Sequence, residues 1–137
     1  MRYHSIPRSF VIATFAIFGL MAVLLVAQSF GGDGGLPPVI AIVWLVALAL
    51  NAYVWLVRIS ADLALEADTL VASGVVLRRV VELDRITGVR PMRRTNGIAV
   101  IEVEGGRSVW TINANGFGVF AAELARRRPA VSVQLRR

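Results

Sequence analysis

Residues 9–57 decide the fold, and they read SFVIATFAIFGLMAVLLVAQSF, then GGDGGLP, then PVIAIVWLVALALNAYVWLV. Each apolar run holds about 20 residues and no charged side chain, a length that crosses a hydrocarbon core of ~30 Å when the run is helical. A chain in lipid must satisfy its own backbone hydrogen bonds, and a helix does so. The stretch therefore predicts two transmembrane helices, residues 9–30 and 38–57, joined by an external turn at residues 31–37.

The arginines beside the two runs predict the orientation of the chain. Arg2 and Arg8 precede the first run and Arg58 follows the second, whereas the turn holds one acid, Asp33, and no basic residue. Basic residues close to helix ends stay on the cytoplasmic side. We therefore expect a multi-pass protein of the inner (plasma) membrane with both termini cytoplasmic and residues 1–8 as a short cytoplasmic tail. The first run is too long for the apolar part of a signal peptide, so we expect it to be retained.

Two features of the apolar runs indicate contacts between helices. Gly19 belongs to a series of small residues, spaced every three positions, that would let a neighbouring helix approach closely. Asn51 is a strongly polar side chain deep in the second run. Such a residue is either a functional site or the source of an interhelical hydrogen bond. We favour the hydrogen bond, within the chain or to the helix of a partner protein.

Residues 59–137 have the pattern of a small β domain with one helix. Short segments with alternating apolar side chains, separated by turn residues, predict an antiparallel sheet or barrel. From Phe117 to Leu124 the apolar residues have the spacing of one helix face, and Pro129 ends that helix. The predicted fold class is therefore α+β, a transmembrane helical hairpin followed by a small antiparallel barrel or sheet that is capped by a C-terminal amphipathic helix.

The order of these motifs resembles a pleckstrin-homology (PH) domain. The alternating strand DLALEAD leads into LVASGVVLRRVVELDRITGVR, and the hairpin IAVIEVEGGRSVWTI and the helix GFGVFAAELARR follow. The whole chain resembles small bacterial membrane proteins, frequent in actinobacteria, with two N-terminal transmembrane helices and a PH-like domain. The resemblance implies an antiparallel barrel whose open end is plugged by the last helix. Residues 59–137 are few for such a barrel, so a strand is missing or is supplied by the tail, where Val131, Val133 and Leu135 alternate.

The residue types present argue against catalysis. The chain has no cysteine and no lysine, and its one histidine, His4, lies in the N-terminal tail. The acids of the predicted domain fall mostly on polar strand faces or in turns. Because an enzyme needs a positioned acid, base, nucleophile or metal, we expect no catalytic residue, no metal site and no cofactor.

Arginine is the abundant charged residue of the predicted domain, with 12 arginines against eight acids from residue 59 onward. A basic residue beside an anionic leaflet contributes ~1 kcal/mol to binding. The turns at residues 67–68 and 73–74, where PH domains that recognise inositol lipids carry a basic cluster, hold no basic residue. Inositol-lipid specificity is therefore not implied. The candidate residues for binding lipid or a protein partner are Arg90, Arg93 and Arg94 in one predicted loop, with Arg78 and Arg79 earlier in the sheet.

Together these features favour a non-enzymatic integral membrane protein whose cytoplasmic domain is an interaction or scaffolding module. Its expected partners are the bilayer and either another protein or a second copy of the chain. One alternative is an accessory subunit of a larger membrane assembly, such as a respiratory or transport complex. Another is a domain whose basic loop binds anionic lipid headgroups. Nucleic acid is not an expected partner, because no recognition helix or aromatic platform accompanies the positive charge.

Overall fold

The structure is a computed structural model that describes residues 1–30, 37–93 and 95–134, without the side chain of Asn96. It is an α+β structure in which a pair of N-terminal helices is combined with a mixed sheet. The helices are α1 (Arg8–Phe30), α2 (Pro38–Tyr53) and α3 (Phe117–Arg127). The strands are β1 (Arg2–His4), β2 (Ile59–Leu65), β3 (Thr69–Gly74), β4 (Arg78–Glu82), β5 (Ile86–Met92), β6 (Thr95–Val103), β7 (Val109–Ile112) and β8 (Ser132–Val133).

Helices α1 and α2 contact each other, and both are long and apolar enough to cross a membrane. A π-helical turn, Val54–Arg58, continues α2 to the start of the sheet. The predicted turn at residues 31–37 lies, apart from Pro37, outside the described residues. The helix pair is therefore confirmed, with a second helix that reaches Arg58.

Small side chains lie where the two helices meet. Ala22 of α1 and Ala41 of α2 are buried, and small residues allow helix backbones to come close. A Cβ built at Gly19 would meet no atom within 4 Å. Packing between α1 and α2 therefore does not need the small size of Gly19. Its expected helix–helix contact stays a prediction for a contact with another chain.

The sheet is mixed and, among the described residues, open, in the order β4-β3-β2-β7-β6-β5-β8. The prediction that all strands of the barrel or sheet pair antiparallel is wrong for two pairs of strands. Strand β2 runs parallel to β7, with Ile59 opposite Trp110, and β5 runs parallel to β8, with Gly88 opposite Ser132. The alternation of apolar residues shows which face of a strand is buried and leaves its neighbour and direction undetermined. Strand β8 is the edge strand predicted from the C-terminal tail, although Leu135 lies outside the described residues.

The segment predicted as a loop around residues 90–97 is largely a hairpin. Strand β5 continues to Met92 and β6 begins at Thr95, with Pro91 opposite Ala99. Among the described residues, β8 pairs with β5 only at Gly88 and Val89, so Pro91 has a paired strand on its β6 side alone, and proline is tolerated at such edges. Arg90, which was predicted in a loop, and Pro91 therefore lie in a strand.

The first residues of the chain belong to the sheet. Strand β1 pairs antiparallel with β2, with Tyr3 opposite Leu63 and His4 opposite Asp62. Strand β7 pairs with the start of β2 and β1 with its later part, so the two share one side of β2. Residues 1–8 are thus more than a tail. A strand of three residues is too short to show an alternating pattern, and its sequence carries no periodic signal.

The core lies between the sheet and α3. Phe117, Phe120 and Leu124 of α3 are fully buried, which confirms the predicted apolar face. The ring of Tyr3 packs edge-on against that of Phe117, with centroids 5.3 Å apart. Full burial of a large apolar side chain contributes ~1.5–3 kcal/mol. One core thus joins residues from before α1 to residues from after α2.

The last turn of α3 carries a cluster of charged side chains. Arg126 and Arg127 donate hydrogen bonds to the Glu123 carboxylate at 2.8 and 2.9 Å. These bonds lower the pKa of Glu123 from 4.5 to about 2. Arg127 also donates to the carbonyl oxygen of Glu66 at 2.7 Å, so the cluster links α3 to the turn after β2.

We expect the ionisation of Glu123 to make the stability of the fold vary with pH in the acid range. When the pKa of a carboxyl group is lower in the folded than in the unfolded chain, the group stabilises the fold at any pH above its unfolded-state pKa. That stability is lost as the pH falls toward the folded value of about 2. The melting temperature of the natural chain should therefore fall more steeply below about pH 4.3 than that of Glu123→Gln. Glu82→Gln, at an exposed acid of β4, should keep the natural slope. Identical slopes for the natural chain and Glu123→Gln would contradict the prediction.

Candidate functional site: a cationic cleft beside the helix ends

A cleft of about 390 Å³ lies on the outer face of the first strands, where α1 begins. Successive side chains of a strand point to opposite faces. On β1, Tyr3 points into the core, and Arg2 and His4 line the cleft. On β2, Leu63 belongs to the core and Asp62 faces outward with His4. The floor of the cleft is therefore built from a strand before α1 and a strand after α2.

The turn between β3 and β4 forms one wall of the cleft. Its residues 75–77 are Val-Val-Leu, and the side chains of Val76 and Leu77 are 64% and 41% exposed. The backbone N–H of Val76 donates to the carbonyl oxygen of Leu56 at 3.3 Å. Leu56 lies in the π-helical end of α2. The apolar turn is therefore held level with the end of that helix.

Arg2, Arg8 and Arg78 bring positive charge to the cleft. The Nη2 of Arg8 lies 3.2 Å from Oδ2 of Asp62, and Nδ1 of His4 contacts Oδ1 of the same carboxylate. Within the described part of the chain, Arg2 and Arg78 form no ion pair. Two guanidinium groups at the cleft are thus free to bind a ligand.

The chemistry of the cleft suits an anion attached to an apolar group. Asp62 and Glu66 also line it, so three guanidinium groups exceed two carboxylates there. A guanidinium group presents a fork of N–H donors that matches phosphate and carboxylate oxygens. The neighbouring Val76 and Leu77 offer an apolar surface beside these donors.

The chain matches no protein-family model, no curated protein and no solved structure.

The junction between α2 and the sheet is fixed by Arg58. Its guanidinium group lies 4.5 Å from the ring centroid of Trp110 on β7. A cation over an indole ring contributes ~0.5–1 kcal/mol at an exposed site. Trp110 in turn donates a hydrogen bond from Nε1 to the Ser108 hydroxyl at 3.0 Å. The end of α2 is thereby tied to the first residues of β7.

The predicted basic residues of β4 separate onto two faces. Arg78 lines the cationic cleft, whereas Arg79 lines a small cavity together with Arg58 and Ser60. Neighbouring residues of a strand alternate between faces, so the two arginines do not act on one ligand.

Neither Arg90 nor Arg93 of the predicted basic loop lines the cleft. Arg90 forms an ion pair with Glu102 of the neighbouring strand, Arg93 is exposed, and Arg94 lies outside the described residues. The N–H of Asn113 donates to the carbonyl of Gly97, which places the start of β6 beyond the C-terminal end of β7. Arg90 lies elsewhere in the sheet: it is opposite Val100, which is opposite Trp110, and Trp110 is opposite Ile59 at the start of β2.

Arg2, His4 and Arg8 were missed as site residues because they were assigned to a tail. A signal was available in the predicted topology. Two helices joined by a short turn return the chain to its starting side, so Arg8 and Arg58 must flank the same interface. The residues before α1 and after α2 therefore had to be neighbours.

Asn51, the predicted source of an interhelical hydrogen bond, is exposed at a groove between α1 and α2. The structure gives its side chain no hydrogen bond within the described ranges. The predicted bond is thus not made between these two helices.

Proposed function

We propose that this chain is a non-enzymatic integral membrane protein whose sheet domain is an interaction module held at the cytoplasmic face of the inner membrane. The observation that carries the proposal is the pairing of β1 with β2, which draws strands from before α1 and after α2 into one sheet. Only residues 5–7 separate β1 from α1, and β2 begins directly after Arg58. Two short connections, rather than one flexible linker, would hold the domain against the bilayer.

The PH-like interpretation is part of this proposal. It is supported by the succession of strands followed by one helix, and by the packing of the apolar face of α3 in the core. The parallel pairing of β2 with β7 differs from the antiparallel barrel that the resemblance implies. A fold does not by itself determine function, and the interaction role is supported by the attachment of the sheet to both helices.

Cysteine labelling tests insertion and orientation, because the chain has no native cysteine. Pro37→Cys, just before α2, should react with a membrane-impermeant maleimide in intact spheroplasts. Ala67→Cys, in the exposed turn between β2 and β3, should react only after permeabilisation. The reverse pattern would overturn the proposed orientation, and complete extraction of the chain by alkaline carbonate would overturn insertion.

The cationic cleft favours a second function, the binding of an anionic phospholipid headgroup. In the proposed topology Arg8 begins a membrane helix, and the turn at residues 75–77 touches the end of the other. Val76 and Leu77 would then lie at the boundary between headgroups and acyl chains, with the guanidinium groups at the level of the phosphates. This assigns headgroup binding to Arg2, Arg8 and Arg78.

A further inference from the structure

A groove of about 220 Å³ runs between α1 and α2. Phe15 and Phe18 line it from α1, and the ring of Phe18 lies 6.3 Å from that of Trp44 on α2. Trp44, Ala47, Leu48 and Asn51 all line the groove from α2. Their spacing of i, i+3, i+4 and i+7 puts them on one face of that helix.

Asn51 is the polar side chain of this otherwise apolar groove. It is exposed, and the described part of the chain offers its amide no hydrogen bond. Asn51 lies seven residues before Arg58, which is about 10 Å at the rise of an α-helix. If α2 spans the bilayer, the amide lies within the hydrocarbon layer, where lipid supplies no hydrogen-bonding partner and an unpaired amide is costly.

We propose that a second copy of this chain covers the groove, with the two Asn51 amides hydrogen-bonded across a two-fold axis along the membrane normal. This inference rests on the proposed membrane insertion. An amide carries both donors and an acceptor, so it is complementary to a copy of itself. Two copies inserted in the same orientation bring Asn51 to the same depth without any further requirement.

The residues around Asn51 also fit this contact. Ala47, one helical turn away on the same face, is small enough to let two α2 helices approach closely. The rings of Phe15 and Trp44 lie in the same groove and supply apolar surface for the second copy. A helix from a different protein would need its own polar residue at this depth.

Disulfide cross-linking of the full chain in membranes tests the contact. Because the chain has no native cysteine, each single-cysteine variant can form a disulfide only through the introduced residue. Ala47→Cys should form a disulfide-linked dimer under mild oxidation. Val46→Cys is the matched control at nearly the same depth, since Val46 is 54% exposed and does not line the groove. Cross-linking that is equal at the two positions, or that joins Ala47→Cys to a different polypeptide, would overturn the proposal.

The role of the amide is tested by the association of purified chain in mild detergent, measured by energy transfer between labelled copies. Asn51→Leu should weaken association about 3- to 30-fold, the loss expected for one interhelical hydrogen bond. Asn51→Gln, which keeps an amide, should restore most of it. A natural chain that is monomeric at every concentration, or an Asn51→Leu variant that associates as tightly, would overturn the proposal.

Alkaline carbonate extraction of the same membranes tests the proposed membrane insertion separately from the proposed contact between two copies. A chain that resists extraction but shows no preference for position 47 overturns the second-copy contact and leaves the proposed insertion intact. A chain that is extracted overturns both.

Discussion

Replacing Tyr3 by alanine should destabilise the sheet domain by about 3–5 kcal/mol, the range for loss of a buried aromatic side chain. Tyr3 is 5% exposed, and its ring contacts Phe117 and Phe120 in the core. Its hydroxyl donates to the carbonyl oxygen of Ile112 at 2.8 Å and accepts from the N–H of Ala114 at 3.0 Å. Burial raises the pKa of this hydroxyl, so it remains a neutral donor. One residue near the N-terminus thus joins β1, the end of β7 and the start of α3.

The measurement is denaturant unfolding of the full chain in mild detergent, followed by the fluorescence of Trp110 with Trp44 and Trp55 replaced by phenylalanine. Tyr3→Phe keeps the ring but removes two partly buried hydrogen bonds to the backbone. We expect a loss of about 1–3 kcal/mol, since each bond contributes about 0.5–1.5 kcal/mol. Arg2→Ala, at the neighbouring exposed position, should change stability by less than about 0.5 kcal/mol. If Tyr3→Ala were as stable as Arg2→Ala, β1 would not be part of the folded domain.

The same contacts make residues 59–137 an incomplete domain. Small domains have total stabilities of about 5–15 kcal/mol, so losing Tyr3 and the β1–β2 hydrogen bonds removes a large fraction. Residues 1–4 and 59–134 are therefore one folding unit, and the two apolar helices are an insertion between its first strand and its second.

Features with a local signature were predictable from the sequence. The helix pair follows from the length of two uncharged runs, and the buried face of α3 follows from the spacing between Phe117 and Leu124. Features that depend on partners distant in the chain were not predictable in this way. Strand β1 is too short for a pattern, and the parallel pairing of Ile59 with Trp110 depends on which strands become neighbours.

The arginines of the candidate site show the same difference between features that are local in sequence and features that depend on distant partners. Arg90, Arg93 and Arg94 were grouped because they are close in sequence, yet Arg90 is held by Glu102 across a hairpin. Arg78 joins Arg2 and Arg8 instead, because the four paired strands β1, β2, β3 and β4 place one row of residues side by side. In that row His4 is opposite Asp62, Asp62 is opposite Ser73, and Ser73 is opposite Arg78. Proximity in a sheet is set by pairing, which the spacing of charges along one strand does not reveal.

Replacing Arg2, Arg8 and Arg78 together by glutamine should weaken binding of an anionic headgroup about 100-fold, since each contributes ~1 kcal/mol. Arg2 and Arg78 form no ion pair within the described ranges, so their donors are available to a phosphate. The loss should be larger at low salt, because salt screens exposed charges. The measurement is a titration of the full chain in mild detergent with short-chain phosphatidylglycerol, with short-chain phosphatidylcholine as the neutral comparison.

A matched variant distinguishes binding at a specific site from binding that depends only on the net charge of the chain. Glutamine at Arg90, Arg93 and Arg94 removes the same number of positive charges and leaves Arg2, Arg8 and Arg78 in place, so phosphatidylglycerol binding should fall only a few-fold. Val76→Ser with Leu77→Ser should weaken binding of the lipid while leaving weak binding of inorganic phosphate unchanged, because these side chains would contact only the acyl part. An equal loss in the two arginine triples would mean that total charge governs binding. The cleft would then be no more than one part of a basic surface, and headgroup recognition at Arg2, Arg8 and Arg78 would be wrong.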